Sequence, residues 1–253
     1  MDPKFPERVS LTFLPTPIEP LERLSRSLGG PEIWIKRDDQ TGLATGGNKA
    51  RKLEFLVADA LAQGADHLVT TGAPQSNHAR QTAAAAARFG LGCSLVLRGR
   101  RPEITTGNLL LDELFGAHVY WCDTPKCPDE IGRVLNTLRS IGLRPYFVPL
   151  GGSNVIGATG YVSAMRELTE QMTAAHLNFD FIVFASSSGG TQAGLVLGAR
   201  AFGFRGTVLG ISVDHPAESL KTQVAALATA TATHIGLDAL SVAELVNVND
   251  DYV

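Results

Sequence analysis

An α/β protein is expected from three observations: short apolar runs rich in β-branched and aromatic residues, helix-period segments between them, and glycine-serine turns where a run gives way to a helix. The runs are Ile33 to Lys36, His67 to Thr71, Cys93 to Leu97, Val119 to Cys122, Tyr146 to Val148, Phe181 to Ala185 and Thr207 to Val213. Between the first two, Leu53, Leu56, Val57, Ala60 and Leu61 fall at i, i+3, i+4, i+7 and i+8, a core-facing helical stripe that Gly64 is placed to stop. The five alanines from Ala83 to Ala87 favour helix strongly and let a neighbouring element approach closely. A last strand-like run covers Leu245 to Val248.

With 253 residues, 44% hydrophobic and 19% charged, the chain can bury a substantial core as one large domain or two smaller lobes. No repeat, low-complexity tract or long linker interrupts the pattern, so a second lobe would be an insertion joined by short crossings. The balance of 22 basic against 25 acidic residues, net −3, offers no electrostatic footprint for nucleic acid or an anionic membrane. A small-molecule partner fits better.

The N-terminal segment from Met1 to Pro6 has no apolar leader region, and no run elsewhere is long enough to cross a bilayer, so a cytoplasmic protein is expected. The cysteines, Cys93, Cys122 and Cys127, are odd in number, and two lie in or beside strand-like runs where a reduced thiol acts as a small hydrophobe. A reducing compartment follows. Cys122 and Cys127 have no second cysteine or histidine pair nearby, so no tetrahedral metal site is expected.

Lys49 follows the turn Gly46-Gly47-Asn48, and Lys52 lies one helical turn further on. A lysine that condenses with an aldehyde must be neutral when it attacks; a second cation at i+3 and partial burial both disfavour its protonated form. The same segment also reads as a helix whose first turn is merely basic.

Ser186-Ser187-Ser188-Gly189-Gly190-Thr191 follows the run Phe181 to Ala185 and opens a helix through Ala193, Leu195 and Val196. Its glycines let backbone N–H groups converge on a phosphate, and the helix start adds positive potential. A strand-to-helix turn without a ligand has the same composition. There is no G-x-G-x-x-G after a strand, and Asn48 between Gly47 and Lys49 spoils the likeness of residues 42 to 49 to a nucleotide-binding P-loop. A further polar segment, Gln75-Ser76-Asn77-His78, sits at the carboxyl end of the run His67 to Thr71, where α/β folds place their ligands. Ser76 or Asn77 would serve there equally well as a helix cap.

A phosphate cradle, an imine-forming lysine and a polar helix-start loop in one α/β chain point to pyridoxal 5'-phosphate. Lys36-Arg37-Asp38-Asp39, Thr45-Gly46-Gly47-Asn48-Lys49-Ala50-Arg51-Lys52-Leu53-Glu54, Gln75-Ser76-Asn77-His78 and Ser188-Gly189-Gly190-Thr191-Gln192-Ala193-Gly194 closely resemble the D-cysteine desulfhydrase and 1-aminocyclopropane-1-carboxylate deaminase family. That family has the tryptophan synthase β-like fold, fold type II of the pyridoxal-phosphate enzymes, with two open twisted α/β lobes. The resemblance implies a large cofactor-binding domain from 1–50 and 158–253, a small inserted domain from 51–157, and a homodimer.

The resemblance further implies that Lys49 is the lysine joined to the cofactor aldehyde and Asn77 bonds the pyridoxal 3-oxygen. Lys52 would help neutralise a phosphate held at Ser188, Gly189, Gly190 and Thr191. Gln75, Ser76, Asn77 and His78 would lie on the substrate side, with Lys49 and Ser76 catalytic. Members of the family eliminate thiol from D-cysteine, eliminate sulfite from L-cysteate, or open the cyclopropane amino acid. His78 after Ser-Asn resembles the eliminating branch, since deaminases carry Gln there. The cluster Arg98-Gly99-Arg100-Arg101 reads as a solvated turn, not as a sulfonate site. The expected activity is therefore that of a carbon–sulfur lyase on D-cysteine; a cofactor-binding but noncatalytic protein and a cofactor-free scaffold are the alternatives of other classes. The family also continues beyond Asp250-Asp251-Tyr252-Val253 into a Gly-Tyr-Gly turn and supplies later a site tyrosine and the partner of the pyridine nitrogen, so either a C-terminally truncated fragment or a short form with an incomplete active site is expected.

Overall fold

The computed structural model describes residues 2–123 and 126–253, so Met1 of the N-terminal segment lies outside it. A short antiparallel pair, β1 (Ile18–Pro20) with β2 (Trp34–Lys36), flanks α1 (Glu22–Leu28). Next come α2 (Lys49–Ala62), β3 (His67–Gly72), α3 (Asn77–Arg88), β4 (Gly92–Arg98), α4 (Gly107–Leu114), β5 (His118–Cys122), α5 (Cys127–Ser140) and β6 (Pro145–Phe147). The chain continues through α6 (Val155–Ala175), β7 (Phe181–Ser186), α7 (Gly190–Ala201), β8 (Thr207–Ser212), α8 (Ala217–His234) and β9 (Asn247–Asn249). All seven sequence-predicted strand runs overlap a strand, in register to within a residue or two.

Two all-parallel sheets result, one ordered β5-β4-β3-β6 and the other β7-β8-β9. The first falls wholly between residues 51 and 157 and the second wholly after 157. Parallel strands need crossover helices, which is why the sequence alternates as it does. The apolar stripe of α2 closes over the first sheet: Leu53, Leu56, Val57 and Ala60 are fully buried with Leu68, Ala83, Leu95 and Val148. Each large aliphatic group so buried stabilises by roughly 1.5–3 kcal/mol. The alanine run of α3 lets that helix lie directly on β3 and β4. A separate core joins α6, α7 and α8 to β8 around Val162, Met165, Leu197 and Leu220.

α2 and α6 connect the two cores. They approach closely because Gly160 has no side chain: a Cβ there would lie 2.4 Å from the Arg51 carbonyl oxygen. Across this seam Arg51, on α2, is held by Asp38 and by Glu167 of α6. The seam therefore ties the first turn of α2, which begins at Lys49, to the rest of the molecule. Among the described residues no helix is long and apolar enough to cross a membrane.

The cysteine expectation is corrected. Cys122 and Cys127 form a disulfide, while Cys93 is free and buried. β5 ends at the first of the pair and α5 begins at the second, and their Cα atoms lie 5.2 Å apart, within the span a disulfide requires. Three free thiols do not describe this structure.

Candidate active site

The turn before α2 is made of unusual backbone. Ala44, Thr45, Gly46 and Gly47 all have positive φ, at 47°, 66°, 73° and 127°. Such conformations cost about 1–3 kcal/mol at a non-glycine residue and persist only where surrounding contacts hold them. Here the Gly47 N–H donates to Thr41 Oγ1 at 2.8 Å, and the Gly46 carbonyl accepts from both Arg80 Nη2 and Gln81 Nε2. The turn delivers Lys49 as the first residue of α2, half-buried.

Burial pushes the Lys49 ammonium down to about 8. Its Nζ donates to Asn48 Oδ1 at 2.9 Å, and the same oxygen accepts from Asn77 Nδ2 at 3.3 Å. Asn48 Nδ2 in turn donates to Thr191 Oγ1 at 3.2 Å. One asparagine thus brings together the lysine, the helix-start loop and the glycine-serine loop, three segments widely separated in sequence.

Lys52 is fully buried, and burial, followed by the charge of Lys49, holds its amine well below the ordinary lysine value. It donates to the Gly151 carbonyl at 3.0 Å and reaches Ser153 Oγ at 3.5 Å. Among the described residues no carboxylate pairs with it. Around its head lie Ser188 Oγ, 2.8 Å from Ser153 Oγ, and the Gly190 N–H, which donates to Ser153 Oγ at 3.2 Å. A Cβ on Gly190 would lie 2.5 Å from Ser153 Oγ and 2.9 Å from Lys52 Nζ. Backbone N–H, hydroxyls, a helix start and a buried cation without a counter-ion are what a phosphate monoester needs. The residues therefore fit the phosphate end of pyridoxal phosphate, with Lys49 placed at its aldehyde end. Gly190→Ala is expected to lower affinity for the cofactor at least tenfold, and to lower the melting temperature of the apo-protein as well, because the added Cβ would also lie 2.9 Å from the Ser153 Cα; a spectroscopic titration with unaltered affinity would remove Gly190 from the cradle.

The four polar residues of the second loop separate. Asn77 is exposed toward Asn48, and Ser76 caps α3, accepting from the Ala79 N–H at 3.2 Å. His78 turns inward: it is 2% exposed and its Nε2 lies 2.8 Å from Thr70 Oγ1. Thr70 gives its single hydroxyl proton to the Val148 carbonyl at 2.7 Å, so Nε2 carries the imidazole proton. Burial, aided by the charges of Lys49 and Lys52, pushes His78 down to about 3, and the ring is neutral. Gln75 points the other way, bonding the Thr106 carbonyl and the Asn108 N–H. The cause is helical phase. α3 starts at Asn77, and each further residue rotates by about 100°, which carries His78 from the mouth of the site to the sheet beneath it.

Two residues of this site, Asn48 and Ser153, have no role of their own in the sequence reading. Asn48 stands there only as part of a turn. Ser153 ends Gly151-Gly152-Ser153, which follows β6 and precedes α6; this is the same strand, glycine-serine, helix order that marks residues 186–191, and it is a usable signal.

The pattern of the pyridoxal-phosphate dependent enzymes matches residues 9–253. The chain is 45% identical over 240 residues to a D-cysteine desulfhydrase of Yersinia pestis (strain Pestoides F), a match that covers 92% of this chain and 72% of the relative. It is 44% identical over 255 residues to the D-cysteine desulfhydrase of Serratia proteamaculans (strain 568), covering 98% of this chain and 76% of that one. Among solved structures, an ACC deaminase homologue superposes with a TM-score of 0.87 at 38% identity, covering 98% of this chain and 74% of its own. A threonine deaminase, at 22% identity and a TM-score of 0.62 over 78% of this chain and 59% of its own, shares the fold. With its fold type II architecture, the chain belongs to the pyridoxal-phosphate dependent enzyme family.

Proposed function

We propose that this protein is a lyase that cleaves the carbon–sulfur bond of D-cysteine to give pyruvate, hydrogen sulfide and ammonia. The observation that carries the reading is the convergence of Lys49, Asn77 and Thr191 on Asn48, beside a Ser76 loop able to take an amino-acid carboxylate. Pyridoxal phosphate, when bound, supplies an aldehyde for an amine and a conjugated ring that withdraws electrons from the substrate α-carbon.

The chain's own groups do the rest. Lys52, Ser153 and the 188–191 loop would hold the phosphate, and Asn77 would bond the 3-oxygen. Lys49 Nζ, with its pKa near 8, is neutral in about a tenth of molecules at pH 7 and in half of them near pH 8, and takes the α-proton, holding it for return to solvent or to the leaving sulfur. Ser76 and the backbone of its loop orient the carboxylate. His78 supports that loop from beneath, so its influence on substrate choice is indirect.

Ser76→Ala tests the assignment. Loss of the cap costs about 1 kcal/mol, and turnover of D-cysteine is expected to fall roughly 100-fold, while cofactor binding, read from visible absorbance, is retained. Wild-type turnover in the variant would leave Ser76 a helix cap only. Similarity to the ACC deaminase homologue favours 1-aminocyclopropane-1-carboxylate as the second substrate to assay, with L-cysteate alongside; keto-acid release from either in preference to D-cysteine would reassign the activity.

The reading includes a cofactor-binding domain of 1–50 and 158–253, an inserted domain of 51–157, and a cytoplasmic homodimer. The exposed apolar residues Phe181 and Val183 on the edge strand β7 support self-association. Light scattering checks it. In a reducing cytoplasm the Cys122–Cys127 pair would be present as thiols.

A further inference from the structure

A hydrogen-bonded chain runs between the two loops of the site without touching either reacting group. Arg80, on the first turn of α3, is buried, and its two terminal nitrogens grip different partners. Nη2 donates to the Gly46 carbonyl at 2.8 Å, on the strained turn that presents Lys49, and Nη1 donates to Asn108 Oδ1 at 2.6 Å. Asn108 in turn donates from Nδ2 to the Gln75 carbonyl at 2.7 Å and from its backbone N–H to Gln75 Oε1 at 2.9 Å. Gln75 immediately precedes Ser76.

Asp112 of α4 is wholly buried, and neither of its carboxyl oxygens has a hydrogen-bond partner among the described residues. Burial pushes its carboxyl up to about 7 although the Arg80 charge pulls the other way, and both terminal nitrogens of Arg80 go to the two carbonyl-type acceptors and not to it. Such a pairing of a buried guanidinium with backbone and amide oxygens has no packing purpose that an aliphatic side chain would not serve better.

We propose that Arg80 is a positioning residue, which through Gly46 and Asn108 locks the turn that carries Lys49 to the loop that carries Ser76 and Asn77. The clamp fixes the spacing between the group that moves the proton and the groups that orient the substrate. Together with Thr41 and Gln81, it helps keep the four consecutive residues of positive φ in place. The proposal rests on the reading that Lys49 and Ser76 serve one reaction.

The test uses Arg80→Gln, Arg80→Lys, Asn108→Ala and the double variant Arg80→Gln/Asn108→Ala. Hydrogen exchange is measured on peptides covering 44–49 and 73–78 without substrate, and steady-state kinetics with D-cysteine. Asn108 is only half-buried, so its variant is expected to melt as the wild type does, yet to exchange faster at 73–78 and lose roughly 10- to 100-fold in kcat/KM. Arg80→Lys keeps the charge facing Asp112 but cannot span two acceptors, so it should match Arg80→Gln in exchange while melting closer to the wild type. Because both residues belong to one chain of bonds, the double variant should be no worse than Arg80→Gln by more than about twofold.

Unchanged exchange at 73–78 in Asn108→Ala, losses that multiply in the double variant, or full rescue by lysine would each overturn the clamp. The exchange measurements need no substrate, so they judge the clamp even if D-cysteine proves to be the wrong substrate.

Discussion

Replacing Lys49 with alanine is expected to abolish pyridoxyl labelling by borohydride and to lower D-cysteine turnover by roughly 10²- to 10⁴-fold. Other lysines compete for the assignment, and the structure separates them. Lys52 is sealed behind α2 with its head on Gly151, and Lys36 is paired with Glu167. Lys36 and Lys49 are both half-buried, but Lys49 is bonded to an asparagine and not to a carboxylate, with burial pushing its amine down to about 8. In wild-type protein the rate of covalent reaction with pyridoxal phosphate should therefore climb with pH up to just above 8 and then level, since the free amine is the reacting form. Lys49→Arg, which keeps the charge and loses the nucleophile, should label no better than alanine. Peptide mapping that placed the reduced pyridoxyl group on Lys36 or Lys52 would sink the assignment.

What the sequence made legible follows from which interactions are local. The buried strands were readable because parallel strands covered on both faces are written as short β-branched runs between turn residues. β1 was not, because Ile18-Glu19-Pro20 is too short to show a period and contains proline. The last strand is displaced from the apolar run: Ala243–Leu245 forms a single 3₁₀ turn, and Asn247–Asn249 pairs with Leu209, Gly210 and Ile211 of β8. There backbone pairing to a neighbouring strand, not apolarity, decides the register.

The site divides in the same way. Lys49, Lys52 and the 188–191 loop stand out because glycines and cations at a helix start have few purposes. The orientations of Gln75 and His78 depend on where α3 begins, to within one residue, and a motif does not record that phase. Asn48 bridges three segments, so its role exists only once the fold brings them together. The disulfide is hidden for a related reason: a separation of five residues is compatible with bonding only if strand and helix turn sharply at that point.

Arg51→Met should be the most destabilising substitution in the seam between the two cores. The guanidinium bonds Asp38 through Nε and Nη2 and Glu167 through Nη1 and Nη2, and Nη2 also meets Thr16 Oγ1, all at 2.8–3.0 Å. Lys36 is the second cation of the group and Tyr161 donates to Asp38 at 2.7 Å. Removing Arg51 leaves two carboxylates facing one lysine in a buried setting, a loss of about 3–5 kcal/mol. Burial alone would raise the Glu167 carboxyl, but Arg51 and Lys36 more than offset it and hold the group at about 2. A depressed carboxylate contributes its stability above the unfolded value near 4.5 and loses it as pH falls toward 2, an effect on the order of 3 kcal/mol. The wild type should accordingly lose stability steeply between about pH 5 and pH 2, as a linkage of this size requires. Arg51→Met, already weakened at neutral pH, should lose less over that interval, because its Glu167 is held down by Lys36 alone. Urea denaturation of both proteins at about pH 7 and pH 3 separates the outcomes; a deficit of the same size at both values would mean that Arg51 acts by packing and not through its carboxylates. Asp38 also anchors the catalytic turn, its carbonyl accepting from the Gly47 N–H at 3.0 Å, so the substitution should slow labelling at Lys49 even where the protein remains folded.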